Sequence, residues 1–285
     1  MLNTPEFVST NDVVWKNVLN LQFKQIVKNK KHLLARCSNL INLDLNRKIL
    51  LLKTQSFGNY FNPAVSDNIV ASNIYFRNSY SFNKENPGWG IDYDFSLIAN
   101  KNLLSNGIEG RNVKKHNISL RTQPNSWLGI KFIAENSKTV ATHEFFIDRN
   151  YNFTSNGGGT KISFMHMSIL RLDLNYNYKF QSNAGRQFNV SHEAGIQTRF
   201  SKNEKGMIEG KISFLEINYV DNVKNEQVEF AMLSGLSRGG NFIWDFSVER
   251  KLTDVLNLTF VYQGRKNLIL PNFVHSLTAE IRAFF

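Results

Sequence analysis

The sequence predicts an all-β protein: an antiparallel transmembrane β-barrel of about 12–14 strands, one that could be incomplete at its N-terminus. Three observations carry the prediction. At least eight segments alternate apolar and polar residues with a period of two, the signature of a strand with unlike faces. The last of them, Phe273 to Phe285, closes the chain on an aromatic, as the final strand of a membrane barrel does. No window approaches the roughly 20 apolar residues of a membrane-spanning helix.

In that last segment Phe273, His275, Leu277, Ala279, Ile281, Ala283 and Phe285 share one face. Val274, Ser276, Thr278, Glu280, Arg282 and Phe284 share the other. Leu277, Ala279, Ile281, Ala283 and Phe285 form the expected C-terminal assembly signal, read by the barrel-assembly machinery.

The chain divides into residues 1–68, poorly resolved N-terminal strands, and residues 69–285, the barrel, as one continuous domain. Residues 1–60 contain two or three strands, with alternating pieces at Leu19, Leu21, Phe23 and at Ile41, Leu43, Leu45. From Ile69 a strand with Ile74, Phe76, Tyr80 and Phe82 on one face turns at Asn83–Gly88. Its return carries Trp89, Ile91, Tyr93, Phe95 and Leu97. A loop at Lys101–Gly110 is expected, then a weaker strand (Ile118, Leu120) that turns at Gln123–Ser126. Leu128 to Ala134 makes the next strand, and Thr139–Arg149 a separate one. The tract Asn156-Gly157-Gly158-Gly159 lacks the Lys-Ser/Thr ending of a phosphate loop and reads as a turn or periplasmic connection.

The longest alternation follows, with Leu170, Leu172, Leu174, Tyr176, Tyr178 and Phe180 set against Arg171, Asp173, Asn175, Asn177 and Lys179. A helix would scatter both sets around its circumference, so helix is excluded there. Phe188–Phe200 repeats the design, and the charged turn Lys202–Gly206 leads to Met207–Val220. In that strand the apolar phase slips from Ile212 and Phe214 to Leu215, Ile217 and Tyr219, which predicts a β-bulge. Residues 221–240 read as an external loop. Phe242–Val248 descends, Leu252–Asp254 turns, Leu256–Tyr262 ascends, and Gly264–Asn272 forms the last loop. Aromatics at strand ends (Tyr178, Phe180, Trp244, Tyr262, Phe284, Phe285) suit interfacial girdles.

Composition agrees. Twenty-three Phe, nine Tyr and only five Pro in 285 residues suit many long strands joined by polar turns. The mean hydropathy of −0.31 is that of a soluble protein, as it must be where lipid-facing and interior residues alternate. The net charge of +11 is spread among turns and polar faces, with short runs such as Lys28–Lys31. That excludes a compact nucleic-acid module and favours an anionic lipid surface. Cys37 stands alone, without a disulfide or a cysteine metal site, and is expected to pack as a small apolar residue. No secretory signal peptide is visible at the N-terminus, and an outer-membrane chain needs one. The expectation is therefore a fragment of a longer precursor, or a misplaced start.

No chemistry-bearing motif emerges: no catalytic residue, no cofactor site and no metal site is expected. The histidines lack the i, i+2 spacing that would pair ligands on one strand face. His143 and Ser163 offer the residue types of a nucleophile–base pair, without a known register. The set that matters is the polar face: Asp92, Asp94, Arg171, Asp173, Glu193, Arg199, Asp245, Glu249, Glu280 and Arg282. These are expected to face the lumen, since a charge on the lipid face costs about 2–4 kcal/mol at mid-membrane. Mixed signs on facing strands favour bracing of a narrow, plugged interior over an aqueous path.

Three segments carry a family resemblance: Glu226–Trp244 (EQVEFAMLSGLSRGGNFIW), Asn257–Lys266 (NLTFVYQGRK) and Thr278–Phe285 (TAEIRAFF). They resemble the C-terminal region of large, mostly uncharacterised outer-membrane proteins of Bacteroidetes-type bacteria, as do Tyr75–Phe95 and His143–Phe153. The likeness covers roughly residues 70–285; Ser237-Arg238-Gly239-Gly240 departs from it, where a Pro-Gly-Lys type turn is usual. It implies a surface-exposed membrane domain of a longer protein and no activity. The function expected is an integral outer-membrane domain for anchoring, envelope assembly or transport. Its partners would be the lipid bilayer, the assembly machinery and lipopolysaccharide, with no nucleic acid. The alternative is a soluble or secreted all-β binding module, whose apolar strand faces would be buried against a second sheet.

Overall fold

The computed structural model describes residues 11–24, 36–51, 69–105, 107–167, 169–184, 186–202, 206–222, 225–253, 255–269 and 273–283. Among the described residues thirteen strands form one sheet: β1 (Asn11–Lys24), β2 (Cys37–Leu51), β3 (Ile69–Phe82), β4 (Trp89–Leu104), β5 (Gly107–Asn125), β6 (Leu128–His143) and β7 (Tyr151–His166). They continue through β8 (Leu170–Asn183), β9 (Gln187–Lys202), β10 (Gly206–Asp221), β11 (Gly239–Thr253), β12 (Leu256–Asn267) and β13 (Phe273–Ala283). Each strand pairs antiparallel with its neighbours in the chain, so the sheet is a simple meander with β1 and β13 at its edges. The fold class and strand number are those the alternation predicts. Phe284 and Phe285, the end of the assembly signal, lie outside the described residues.

From β3 onward the connections differ by end. At one end they span 83–88, 126–127, 167–169, 203–205 and 254–255; at the other, 105–106, 144–150, 184–186, 222–238 and 268–272. We call these the turn end and the loop end.

The strands are staggered. A row of paired residues starts at Phe82, the turn-end residue of β3, and runs through Ile91, Leu120, Phe132, Thr160 and Tyr176. It continues through Ala194, Phe214, Phe242 and Lys266 to Phe273, the loop-end residue of β13. Ten strand-to-strand steps thus shift the row by the ten positions from Phe273 to Ala283, one residue per strand. With a rise of about 3.3 Å per residue and strands about 4.8 Å apart, that stagger is a tilt of about 35°. Barrel walls carry this tilt.

The register assigns every side chain to a face. One face is mainly polar and shielded, the other apolar and open. Ser155 and Ser213 on the polar face are each 3% exposed, whereas Ile118 and Ile196 on the apolar face are 53% and 51% exposed. Small serines are hidden without a covering layer only where neighbouring side chains lean together, so the polar face is the concave one. Among the described residues the one compact apolar cluster lies on that concave side at the loop end, where Phe153, Ile217 and Tyr219 meet a short helix, α1 (Glu226–Leu233).

Several local expectations are corrected. Lys101–Gly110 is not a loop: β4 and β5 pair through Lys101↔Gly110 to Leu104↔Gly107. Thr139–His143 continues β6, and only Ile147–Arg149 forms a separate 3-10 turn. In both places the ladder runs past the apolar band, where both faces are wet and alternation is no longer required. Asn156–Gly159 is not a turn but the middle of β7, paired with Tyr178 and Lys179 of β8. A Cβ on Gly159 would collide with the Asn177 side chain, so crowding of the concave face accounts for that glycine. β12 reaches Asn267, shortening the last loop. Residues 221–240 contain α1 rather than loop alone. Cys37 is exposed rather than packed.

The phase slip in β10 is not a bulge either, because its ladders with β9 and β11 run without a register shift. Leu215, Ile217 and Tyr219 are apolar residues on the polar face, beneath α1.

Candidate functional site: the concave face and its helical cover

All ten predicted charged residues fall on the concave face. The register places Asp92 and Asp94 with Ser119 and Asn117, Asp173 with Ser163 and Gln197, and Glu193 with Asn177 and Leu215. It likewise sets Arg171 against Arg199, Arg199 against Glu209, Asp245 against Gln263, Glu249 against Thr259, and Arg282 and Glu280 against Asn257 and Thr259.

Nine of them, Glu249 apart, are engaged with neighbours on the same or the adjacent strand, rather than across the interior. Arg77 donates to Asp94 at 2.8 Å, and Ser79 also donates to that carboxylate. Arg121 pairs with Asp92 at 3.3 Å, and Lys161 and Arg171 both bind Asp173 at 2.9 Å. Arg199 meets Glu209 at 3.2 Å, Gln263 donates to Asp245 at 2.6 Å, and Arg282 lies 2.7 Å from Glu280. All but the Arg171–Asp173 and Arg282–Glu280 pairs, which lie within one strand, tie strand to strand. Arg77, Arg121, Lys161 and Glu209 complete them and were missed as site residues. Their alternation phase was visible, but choosing partners needed the register.

On the apolar face the charges are confined to the ends. Arg47, Lys101, Lys114, Lys138, Glu216 and Lys266 each lie ten or more positions from the turn end of their strands. Lys202 is the turn-end residue of β9, and Arg250, three positions from the turn end of β11, pairs with Gly206, the turn-end residue of β10. Between them, among the described side chains, runs a band without Asp, Glu, Lys or Arg. Ten residues tilted at about 35° make it about 27 Å tall.

Aromatics mark both borders. Phe82 packs on Trp89 and Trp127 on Phe164 at the turn end. Nearer the loop end, Phe180 stacks on Phe188 and Phe242 lies tilted against Trp244. Within the band, Tyr93 is hydrogen-bonded to Nδ1 of His116 at 2.8 Å and Tyr176 to Nδ1 of His192 at 2.9 Å. Tyr262 packs edge-on against His275. No group of three His, Cys, Asp or Glu side chains among the described residues could hold a metal ion. Ser163 pairs with Gly129, fourteen positions along β6 from His143, so the register keeps that Ser and His about 46 Å apart.

The loop-end mouth is covered from within. Asn225 caps α1 by accepting from the amides of Gln227 and Val228, both at 3.1 Å. Ser234, in the left-handed region with φ 55°, ends the helix. Val228, Met232 and Leu233 are buried against Phe153 of β7 and Ile217 and Tyr219 of β10. The flanks are tied down as well. Asn225 donates to the Asp148 carbonyl at 3.0 Å, Asn241 to Ser237 at 2.7 Å and Asn267 to Arg238 at 3.0 Å. Arg238 forks onto Glu229 with two bonds of 2.6 Å and lies 4.6 Å from the centre of the Tyr219 ring. That carboxylate holds the guanidinium above its ordinary pKa range. The sequence did carry start and stop signals for this helix, Asn225 before an apolar run and Gly235 after it.

Beneath α1 lies a cavity of about 170 Å³, walled by Lys179, Asn189 and Glu193 on the sheet and by Met232, Leu233 and Leu236 from the cover. A wider hollow of about 690 Å³ at the turn end is bounded by Arg171 and Arg199, whose guanidinium groups are already committed to carboxylates.

No family model matches the chain, and no curated protein matches it. Solved structures do. The ferric-catecholate import receptor Fiu from E. coli K12 is similar over 90% of this chain and 49% of its own, with TM-score 0.49 and 6% identity. CdiB from Acinetobacter baumannii is similar over 96% of this chain and 53% of its own, with TM-score 0.47 and 8% identity. The chain thus spans about half the length of these two proteins. At such scores the barrel reading rests on this chain's own pairing, stagger and faces.

Proposed function

We propose that this chain is an integral outer-membrane β-barrel domain whose mouth is narrowed by an inward-folded helix, serving anchoring, envelope assembly or transport. One observation carries the reading: the charge-free convex band about 27 Å tall, bordered by aromatics. Outer-membrane barrels present an apolar band of about 25 Å between aromatic girdles, short periplasmic turns and longer outer loops. On that pattern the turn end faces the periplasm and α1 lies at the cell surface. The paired charges of the concave face then tie neighbouring strands of the wall to one another.

The resemblance to Bacteroidetes-type outer-membrane proteins supports placing this domain in that group. The C-terminal strand is the segment offered to the assembly machinery, and Lys101, Lys114, Lys138 and Lys266, at the outer border of the band, suit the phosphates of lipopolysaccharide. The soluble-module reading would need a second layer over the convex face, where more than twenty large apolar side chains of the described residues are exposed instead.

Cell fractionation followed by electrophoresis of heated and unheated samples tests the proposal. Recovery with the outer membrane, together with a heat-dependent mobility shift, is the expected result. Recovery in the soluble fraction without a shift would overturn it.

A further inference from the structure

The cavity under α1 has two chemically distinct walls. Met232, Leu233 and Ile217 make one of them apolar. The other holds Lys179, Glu193 and Asn189 from the polar face of β8 and β9. Lys179 makes no ion pair among the described residues. The nearby Glu135 is taken by Lys115 at 2.6 Å, and Glu193 accepts from Asn177 at 3.3 Å. Asn189 is only 2% exposed, donates to Gln181 at 2.8 Å, and leaves its own Oδ1 without a donor. A buried acceptor of that kind carries a desolvation cost unless something fills it.

The wall therefore offers one cation without an ion pair among the described residues and one carboxylate with accepting capacity to spare. Its formal charges cancel, so the complementary occupant bears one negative and one positive group. The cavity, about 170 Å³, is well above the space one water needs and admits a small molecule.

We propose that this cavity binds a small zwitterion with an aliphatic side chain, of the class of leucine or methionine. Its carboxylate meets the Lys179 ammonium, its ammonium donates to Glu193, and its side chain lies against Met232, Leu233 and Ile217. This goes beyond the membrane reading and does not depend on it, because the pocket is built from strand register and the docked helix alone.

The test uses the full chain, purified in detergent and shown to be folded by the β-sheet signal of its circular dichroism, which also serves as the fold check for each variant. Binding of radiolabelled L-leucine is measured, with glycine, isopentylamine and 4-methylpentanoate as competitors. Saturable leucine binding is expected, competed poorly by glycine and by each singly charged analogue. Lys179→Gln should weaken it at least tenfold with the circular dichroism signal intact. An absence of saturable binding overturns the proposal, as does unchanged affinity in K179Q. Equal competition by 4-methylpentanoate would overturn the zwitterion, and equal competition by glycine the apolar wall. Failure of the protein to enter the outer membrane in cells would count against the membrane reading only.

Discussion

Replacing Met232 by alanine should undock α1 without dismantling the sheet. The helix has eight residues, well short of the roughly 12–15 at which isolated helices become even marginal in water. It stays formed because its buried side chains, Met232 at 2% exposure among them, are held against Phe153 and Ile217. Truncating a buried Met to Ala costs about 2–5 kcal/mol, the upper values applying where an empty void is left behind. Met232 already borders a cavity, so water can enter the space, and about 2–3 kcal/mol is the fitting part of the range. At 1.4 kcal/mol per decade, the undocked population rises roughly 30- to 150-fold. Hydrogen exchange with mass-spectrometric readout on detergent-folded protein reports this directly. Peptides covering 225–238 should exchange faster by that factor, while peptides from β8 keep their rate. Unchanged exchange in the helix would refute the idea that side-chain burial holds it, and equal acceleration in β8 would show that the helix is not a separate unit.

Other outcomes follow from the same geometry. Phe260→Arg, at mid-band on the convex face, should cost about 2–4 kcal/mol and lower the heat-modifiable fraction, whereas Val261→Arg on the concave face of the same strand should assemble normally. Comparable assembly of the two variants would contradict the assignment of faces. Asn225→Ala removes both cap bonds and should loosen α1 by about 0.5–2 kcal/mol, read as a smaller acceleration of exchange than in the Met232 variant. Removing Phe285 should reduce the amount of assembled barrel in outer membranes, seen by comparing folded and unfolded bands; undiminished assembly would remove that residue from the signal.

What could be read from sequence was set by local chemistry. A period of two along Leu170–Phe180 or Leu256–Tyr262 fixes a strand and its two faces before any partner is known. The polar set from Asp92 to Arg282 could therefore be assigned to one face at once. Strand ends were less legible. Once both faces are wet, as at Lys101–Leu104 or Thr139–His143, only backbone pairing holds the ladder, and pairing leaves no hydrophobic trace. The cover shows the opposite case. Leu215, Ile217 and Tyr219 broke the alternation visibly, yet the break had two explanations, a bulge or an apolar contact from inside.

The amino-acid order alone determined that this is a sheet with one greasy side and one wet side, because side-chain direction in a strand follows parity. Tertiary structure alone decided which ions meet, that the wet side is the concave one, and that a helix from the β10–β11 connection closes over it. Those facts depend on stagger and curvature, which accumulate over many strands, and no single strand encodes them.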